Sequence, residues 1–174
     1  MSIMVKKFQH RWETLKELIE KYDCKNIAEI GVLEGENARN LLKICPQIEQ
    51  MFLIDPYVTP GGTHTHINDK FYGECARKQT SFLKMTSKKA AEFFKDGSLD
   101  LVFIDGDHRY PMVSLDIDLW LPKIRKGGII CGHDYNWEEW YPGIQKAVDE
   151  KFDTIYYIPD EKVGKDRSVW WVEL

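Results

Sequence analysis

Two short stretches concentrate the reactive side chains of this 174-residue chain. The first is Asp105-Gly106-Asp107-His108-Arg109-Tyr110, which ends the oily run Leu101-Val102-Phe103-Ile104. The second is Gly132-His133-Asp134-Tyr135, which follows Gly128-Ile129-Ile130-Cys131. Each apolar run reads as a buried strand, so three carboxylates and two imidazoles are released at strand ends. Asp105 and Asp134, delivered to one rim from separate strands, need a compensating cation or a proton. A histidine after a strand can also be ordinary hydrogen-bonded structure, and Asp107 can simply cap the turn that follows.

A third stretch is Glu29-Ile30-Gly31-Val32-Leu33-Glu34-Gly35. Two glycines four apart between a strand and a helix let the backbone turn tightly and let a ligand approach a helix N-terminus. The dinucleotide fingerprint would need glycines at 31, 33 and 36, but Leu33 and Glu36 stand at the last two places. Glu34 and Glu36 would also repel a pyrophosphate, so a ligand without phosphate, or with a positive centre, fits better. Asp55 ends the next apolar run, where a carboxylate commonly accepts both hydroxyls of a ribose. It can also be a turn initiator before Pro56. Together with the glycine loop, it points to a nucleoside without phosphates.

The elements that must carry these residues alternate. A helical pattern from Phe8 to Tyr22 precedes a strand at 26–31, a helix stopped by Pro46, and a strand at 51–54. Then come a strand at 81–85, a helix from Ser87 to Phe94, a strand at 99–104 and a helix from Val113 to Ile124. A strand at 128–132, a helix from Ile144 to Phe152 and strands at 154–158 and 168–172 complete the chain. Continuous apolar strands between helices predict a doubly wound, mostly parallel α/β sheet with helices on both faces. The last two strands, joined without a helix, predict a hairpin and an antiparallel strand near one edge. The polar run 57–72, with His64 and His66, reads as a lid or binding loop whose histidines face solvent.

Composition narrows the partners. One domain accounts for residues 1–174: an N-terminal helix at 1–25, a ligand-binding core at 27–152 and a strand hairpin at 153–174. A net charge of -4 offers no general attraction to nucleic acid or to an anionic membrane. No long apolar span or signal-like leader is evident, so a cytoplasmic protein is expected. Four scattered cysteines without a CxxC pair argue against a disulfide framework or zinc knuckle. Trp137, Trp140 and Tyr141 are candidates for an aromatic wall or for core, and Trp170 and Trp171 point to opposite faces of their strand.

The pairing of DGDHRY with GGIICGHDY, together with the glycine loop, resembles the class I S-adenosylmethionine-dependent methyltransferases. Within them it is similar to small methyltransferases carrying DGDHxY and GGxxxxHDY. The resemblance covers about residues 27 to 152 and implies a Rossmann-like, seven-stranded fold. It implies that Glu29, Gly31 and Gly35 line the methionine and ribose side, that Asp55 holds the ribose, that Ser87 lies by the adenine, and that Asp107 faces the cofactor. The set is also similar to divalent-metal-dependent O-methyltransferases. By that likeness the metal positions fall on Asp105, His133 and Asp134, where relatives carry aspartate in place of His133. An imidazole with two carboxylates suits manganese, iron or zinc as well as magnesium.

The same likeness places His108 where relatives have a lysine, and implies that a neutral imidazole there takes a hydroxyl proton near pH 7. The implied reaction is methylation of a small-molecule or sugar oxygen, in a pocket open enough to be completed by a second copy as a homodimer. The rivals are a nucleotide-binding oxidoreductase, another metal-dependent enzyme on the same fold, and an inactive cofactor-binding domain.

Overall fold

The computed structural model describes residues 10–58, 80–136, 142–158 and 168–174. The apolar runs form strands β1 (Asn26–Ile30), β2 (Gln50–Ile54), β3 (Thr80–Leu83), β4 (Leu99–Ile104), β5 (Ile124–Gly132), β6 (Tyr156–Tyr157) and β7 (Trp170–Glu173). They make one seven-stranded sheet in the order β3-β2-β1-β4-β5-β7-β6. β1 to β5 are mutually parallel, and β7 lies antiparallel between β5 and β6. The sequence therefore gives the right hairpin and the right sense, and β7 is the strand that runs backwards.

Helices α1 (Arg11–Lys21) and α2 (Glu36–Ile44) cover one face, burying Leu15, Ile19 and Leu41 against Ile27, Leu53, Phe103 and Cys131. Helices α3 (Ser87–Ala91), α4 (Tyr110–Trp120) and α5 (Pro142–Asp149) cover the other, against Ala28, Ile30, Val102 and Ile130. Strand alternation sorts these sets from Leu101 on: Leu101 and Phe103 of β4 face α1 and α2, Val102 and Ile104 face α4 and α5, and Leu99, before a register shift, joins the second set. Trp171 and Trp170 part in the same way and both are buried. Burying both faces explains why the strands read as unbroken apolar runs.

Some boundaries differ from the sequence reading. The helix expected to run through Ile124 stops at Trp120. A single 3-10 turn over Leu121–Lys123 follows, and Ile124 already pairs with Leu99. Pro122 lacks the N–H that a continuing helix needs. The helix from Ser87 is five residues long, and the first helix begins at Arg11. Among the described residues no helix is long and apolar enough to cross a membrane.

What matters most for function is register. Ile54, Ile30, Ile104 and Gly132 stand side by side as the last residues of β2, β1, β4 and β5. The ladder runs one step further, with Gly31 N–H donating to Ile54 O at 2.9 Å, Asp105 N–H to Ile30 O at 2.8 Å and His133 N–H to Ile104 O at 3.1 Å. Asp55, Gly31, Asp105 and His133 are thus fixed as the next row by backbone hydrogen bonds.

Candidate active site

At the centre of that row Gly31 has φ +86°, and a Cβ there would lie 2.2 Å from the Asp105 carbonyl oxygen. Only glycine lets the β1 loop pass so close to the end of β4. Gly35, also left-handed at φ 80°, starts α2. Asp55 fixes the loop from the neighbouring strand. Its Oδ2 accepts the N–H groups of Val32 and Leu33, both at 2.9 Å, and its Oδ1 accepts that of Tyr57 at 2.6 Å. Asp55 is therefore first a clamp on the glycine loop, with one acceptor direction left on Oδ1 for a ligand.

Glu29 lies beneath this loop, 2% exposed, with no hydrogen bond to Oε2. Burial pushes its carboxyl up to about 8; the Arg11 charge and Asn37 pull it down, and Asp105 pushes it up. Asn37, 1% exposed, also leaves both its amide oxygen and its amide nitrogen without a partner. Unpartnered buried polar groups at a glycine loop call for a polar ligand. Sequence reading overlooked Asn37; its signal is a polar residue one turn before Leu41 on the inward face of an apolar helix.

The acidic cluster lies beside it. Asp105, His108 and Asp134 each offer a ligand atom, and these atoms lie within 4.8 Å of one another. His108 Nε2 is 2.9 Å from Asp134 Oδ2 and 3.6 Å from Asp105 Oδ1. His133 Nδ1 is 3.0 Å from Asp134 Oδ1 and 3.8 Å from Asp105 Oδ1, while its buried Nε2 has no hydrogen bond. The structure thus draws His108 into the tight group and sets His133 beside it. Asp134 holds a left-handed backbone at φ 57°, uncommon for a residue other than glycine.

Charge is balanced by protons and an arginine. Burial disfavours the His108 cation, but the Asp105 and Asp134 carboxylates beside it outweigh that and raise its pKa to about 9. His133 is raised as well, with burial opposed chiefly by Asp134. Burial would raise the Asp134 carboxyl, yet the two imidazoles hold it well below the usual range. Sequence reading expects a neutral His108; with no ion between them, both flanking carboxylates favour its cation. Arg11, another residue sequence reading passed over, reaches Asp105 Oδ2 with Nη1 at 3.1 Å.

Ser87 and Asp107 have partners of their own, and Asp107 also borders the cavity beside Asp105 and His108. Ser87 Oγ accepts Trp120 Nε1–H at 2.8 Å and also bonds Asp116, so its hydroxyl ties α3 to α4. Both Asp107 oxygens accept Arg109 Nε–H, at 2.9 and 3.0 Å, in a surface pair. A cavity of about 10 Å³ bounded by Asp105, His108, His133, Ile144 and Trp170 has room for about one water. His64, His66, Trp137, Trp140 and Tyr141 lie outside the described residues.

Residues 28–135 match a family model described as a methyltransferase domain. An uncharacterized protein, R132, of Acanthamoeba polyphaga mimivirus is 29% identical over 145 residues, which is 81% of this chain and 65% of that protein. An uncharacterized protein, y4gI, of Sinorhizobium fredii is 35% identical over 52 residues, 30% of this chain and 6% of that protein. Among solved structures, a Klebsiella pneumoniae protein provisionally named an O-methyltransferase superposes with TM-score 0.70 at 17% identity, covering 92% of this chain and 77% of that one. Cofactor-bound Rv0187 from MTB gives 0.69 at 16%, covering 98% and 81%. The N-methyltransferase NodS from Bradyrhizobium japonicum gives 0.58 at 13%, covering 91% and 89%. Likeness at these identities shows a shared fold and leaves the acceptor atom open.

Proposed function

The chain belongs to the methyltransferase domain family; from that premise we propose that it is a class I S-adenosylmethionine-dependent methyltransferase that methylates an oxygen of a small molecule or sugar, with a divalent metal held by Asp105, His133 and Asp134 beside His108. The observation that carries this reading is the convergence of Asp105, His108 and Asp134 within 4.8 Å. The donor set fits such an ion: two carboxylates, and an imidazole, His133, that becomes a ligand when deprotonated. An amine acceptor brings its own nucleophilic lone pair, whereas a hydroxyl gains from a site that lowers its pKa, and this favours oxygen.

S-adenosylmethionine supplies the methyl group as a sulfonium, and a bound divalent ion would orient and acidify the acceptor hydroxyl. The chain does the rest. Glu29, whose carboxyl burial raises to about 8 despite the Arg11 charge, would ionise on meeting the amino group of the cofactor's methionine end. The Gly31 turn lets that end approach the backbone, and the free acceptor direction of Asp55 can take a ribose hydroxyl. His108 holds its proton while Asp105 and Asp134 face it. Only when those carboxylates are engaged elsewhere would it release that proton to solvent and, as a neutral imidazole, take one from the acceptor hydroxyl. That order links proton acceptance to a filled site.

The test is binding followed by turnover. S-adenosylhomocysteine should raise the melting temperature and NAD should not. Methylation of catechol or sugar acceptors should depend on added manganese, magnesium, iron or zinc and stop with EDTA. Methyl transfer indifferent to EDTA and to Asp105→Asn would sink the metal reading, and methylation confined to amines would sink the choice of oxygen.

A further inference from the structure

Asp105 divides its two oxygens between different partners. Oδ1 faces His108 Nε2 at 3.6 Å and His133 Nδ1 at 3.8 Å, and Oδ2 faces Arg11 Nη1 at 3.1 Å. The Arg11 and Asp105 side chains are 21% and 12% exposed, so the pair is mostly withdrawn from water and weakly screened. Arg11 also lies close enough for its charge to act on Glu29 and His133. One guanidinium thus serves three groups of the rim.

The cations of this cluster are not equivalent. An imidazolium can lose its proton and turn into a ligand, but a guanidinium keeps its proton and has no lone pair to offer. Against an incoming divalent ion, the histidines can change role and Arg11 can only repel or withdraw. We propose that Arg11 is a resident counter-cation that competes with the divalent metal for Asp105, so that loading the site requires the arginine to swing away. This rests on the metal reading of the cluster and adds the chain's own control over it.

The start of α1 restricts how that happens. His10 stacks on Trp12 with ring centroids 4.1 Å apart, and the His10 N–H donates to the Glu13 carboxylate at 3.1 Å. With the backbone pinned on both sides of Arg11, withdrawal is a side-chain rotation, and α1 keeps its packing. A helix whose first residue plugs the site would keep Asp105 charge-paired in the metal-free protein and open it only to a competitor of higher charge.

The experiment measures Mn²⁺ affinity of the full chain at fixed pH and salt, by electron paramagnetic resonance and calorimetry, for the wild type, Arg11→Met and Arg11→Gln. S-adenosylhomocysteine affinity reports folding and cofactor binding. Removing the competing charge should tighten Mn²⁺ binding roughly tenfold or more, with S-adenosylhomocysteine still bound, and that gain should be lost in Arg11→Met/Asp105→Asn. Using two neutral variants keeps the comparison open if one fails to fold. Equal Mn²⁺ affinity in wild type and variants overturns the proposal and leaves the metal reading standing. Binding in none of them overturns both. Weakened S-adenosylhomocysteine binding with unchanged Mn²⁺ affinity would assign Arg11 to the cofactor and overturn the proposal.

Discussion

Asp100 and Asp105 sit at opposite ends of β4, and each faces an arginine. Asp100 Oδ2 accepts the backbone N–H groups of Lys25 and Asn26 at 2.9 and 2.7 Å, and its Oδ1 takes Arg125 Nε–H at 2.5 Å. Among the described residues, Asp105 is met only by side chains, at 3.1 to 3.8 Å. Backbone amides fixed by the sheet cannot leave, so Asp100 is locked into the fold. The partners of Asp105 can rotate or lose protons, so its charge remains available. The contrast separates a carboxylate locked by backbone amides from one with displaceable partners more clearly than burial does, since both side chains are 12% exposed.

Substitution at each end should separate the roles. Asp105→Asn should lower methyl transfer by roughly 10²–10³-fold while the urea midpoint moves little. A loss of stability matching that of Asp100→Asn would erase the contrast. Asp100→Asn should cost about 2–3 kcal/mol in urea denaturation with S-adenosylhomocysteine affinity unchanged. Burial opposes ionisation of Asp100, but the amides of Asn26 and Lys25 and the Arg125 guanidinium lower its pKa below the ordinary value. Its stabilisation is therefore full above the unfolded pKa and lost as pH falls through the folded one. The acid limb of the stability profile should be shallower in Asp100→Asn.

Asp116 offers a third case, 4% exposed on α4, with burial pushing its pKa up to about 6 against the pull of the Ser87 hydroxyl. The sign is opposite: its folded pKa exceeds the unfolded one, so its stabilisation is full below the unfolded pKa and lost as pH rises through about 6. Relative to wild type, Asp116→Asn should gain about 1–3 kcal/mol between pH 4 and pH 7.5, read from urea midpoints. A flat difference would place Asp116 with Asp100. The smallest effect is expected at the exposed Asp107–Arg109 pair, where Arg109→Ala should move the melting temperature by about one degree or less.

How far the site could be read from sequence follows from where each signal resides. Asp55, Gly31, Asp105 and His133 were legible because each directly follows an apolar run, and parallel register then lines such residues up. Helix ends were less so, since Pro122 had to be weighed against an apolar pattern that continues to Ile124. The protonation of His108 could not be read, because it depends on Asp134 approaching to 2.9 Å from another strand. Ser87 and Asp107 were given cofactor roles by resemblance. The structure engages them with Trp120 and Arg109, partners that motif spacing does not show.

The chain by itself determined the chemistry of the rim, since a buried strand must stop where its apolar run stops and the next residues are carboxylates, imidazoles and glycines. It also determined the parallel sheet, because strands apolar on both faces need helices on both. Only the tertiary structure decided which face α1 covers. Alternation turns Asp105 and His133 toward that face, and α1 lies there with Arg11 at its first turn. No local pattern joins residues 11 and 105, because packing across the sheet, rather than spacing along the chain, sets their 3.1 Å contact.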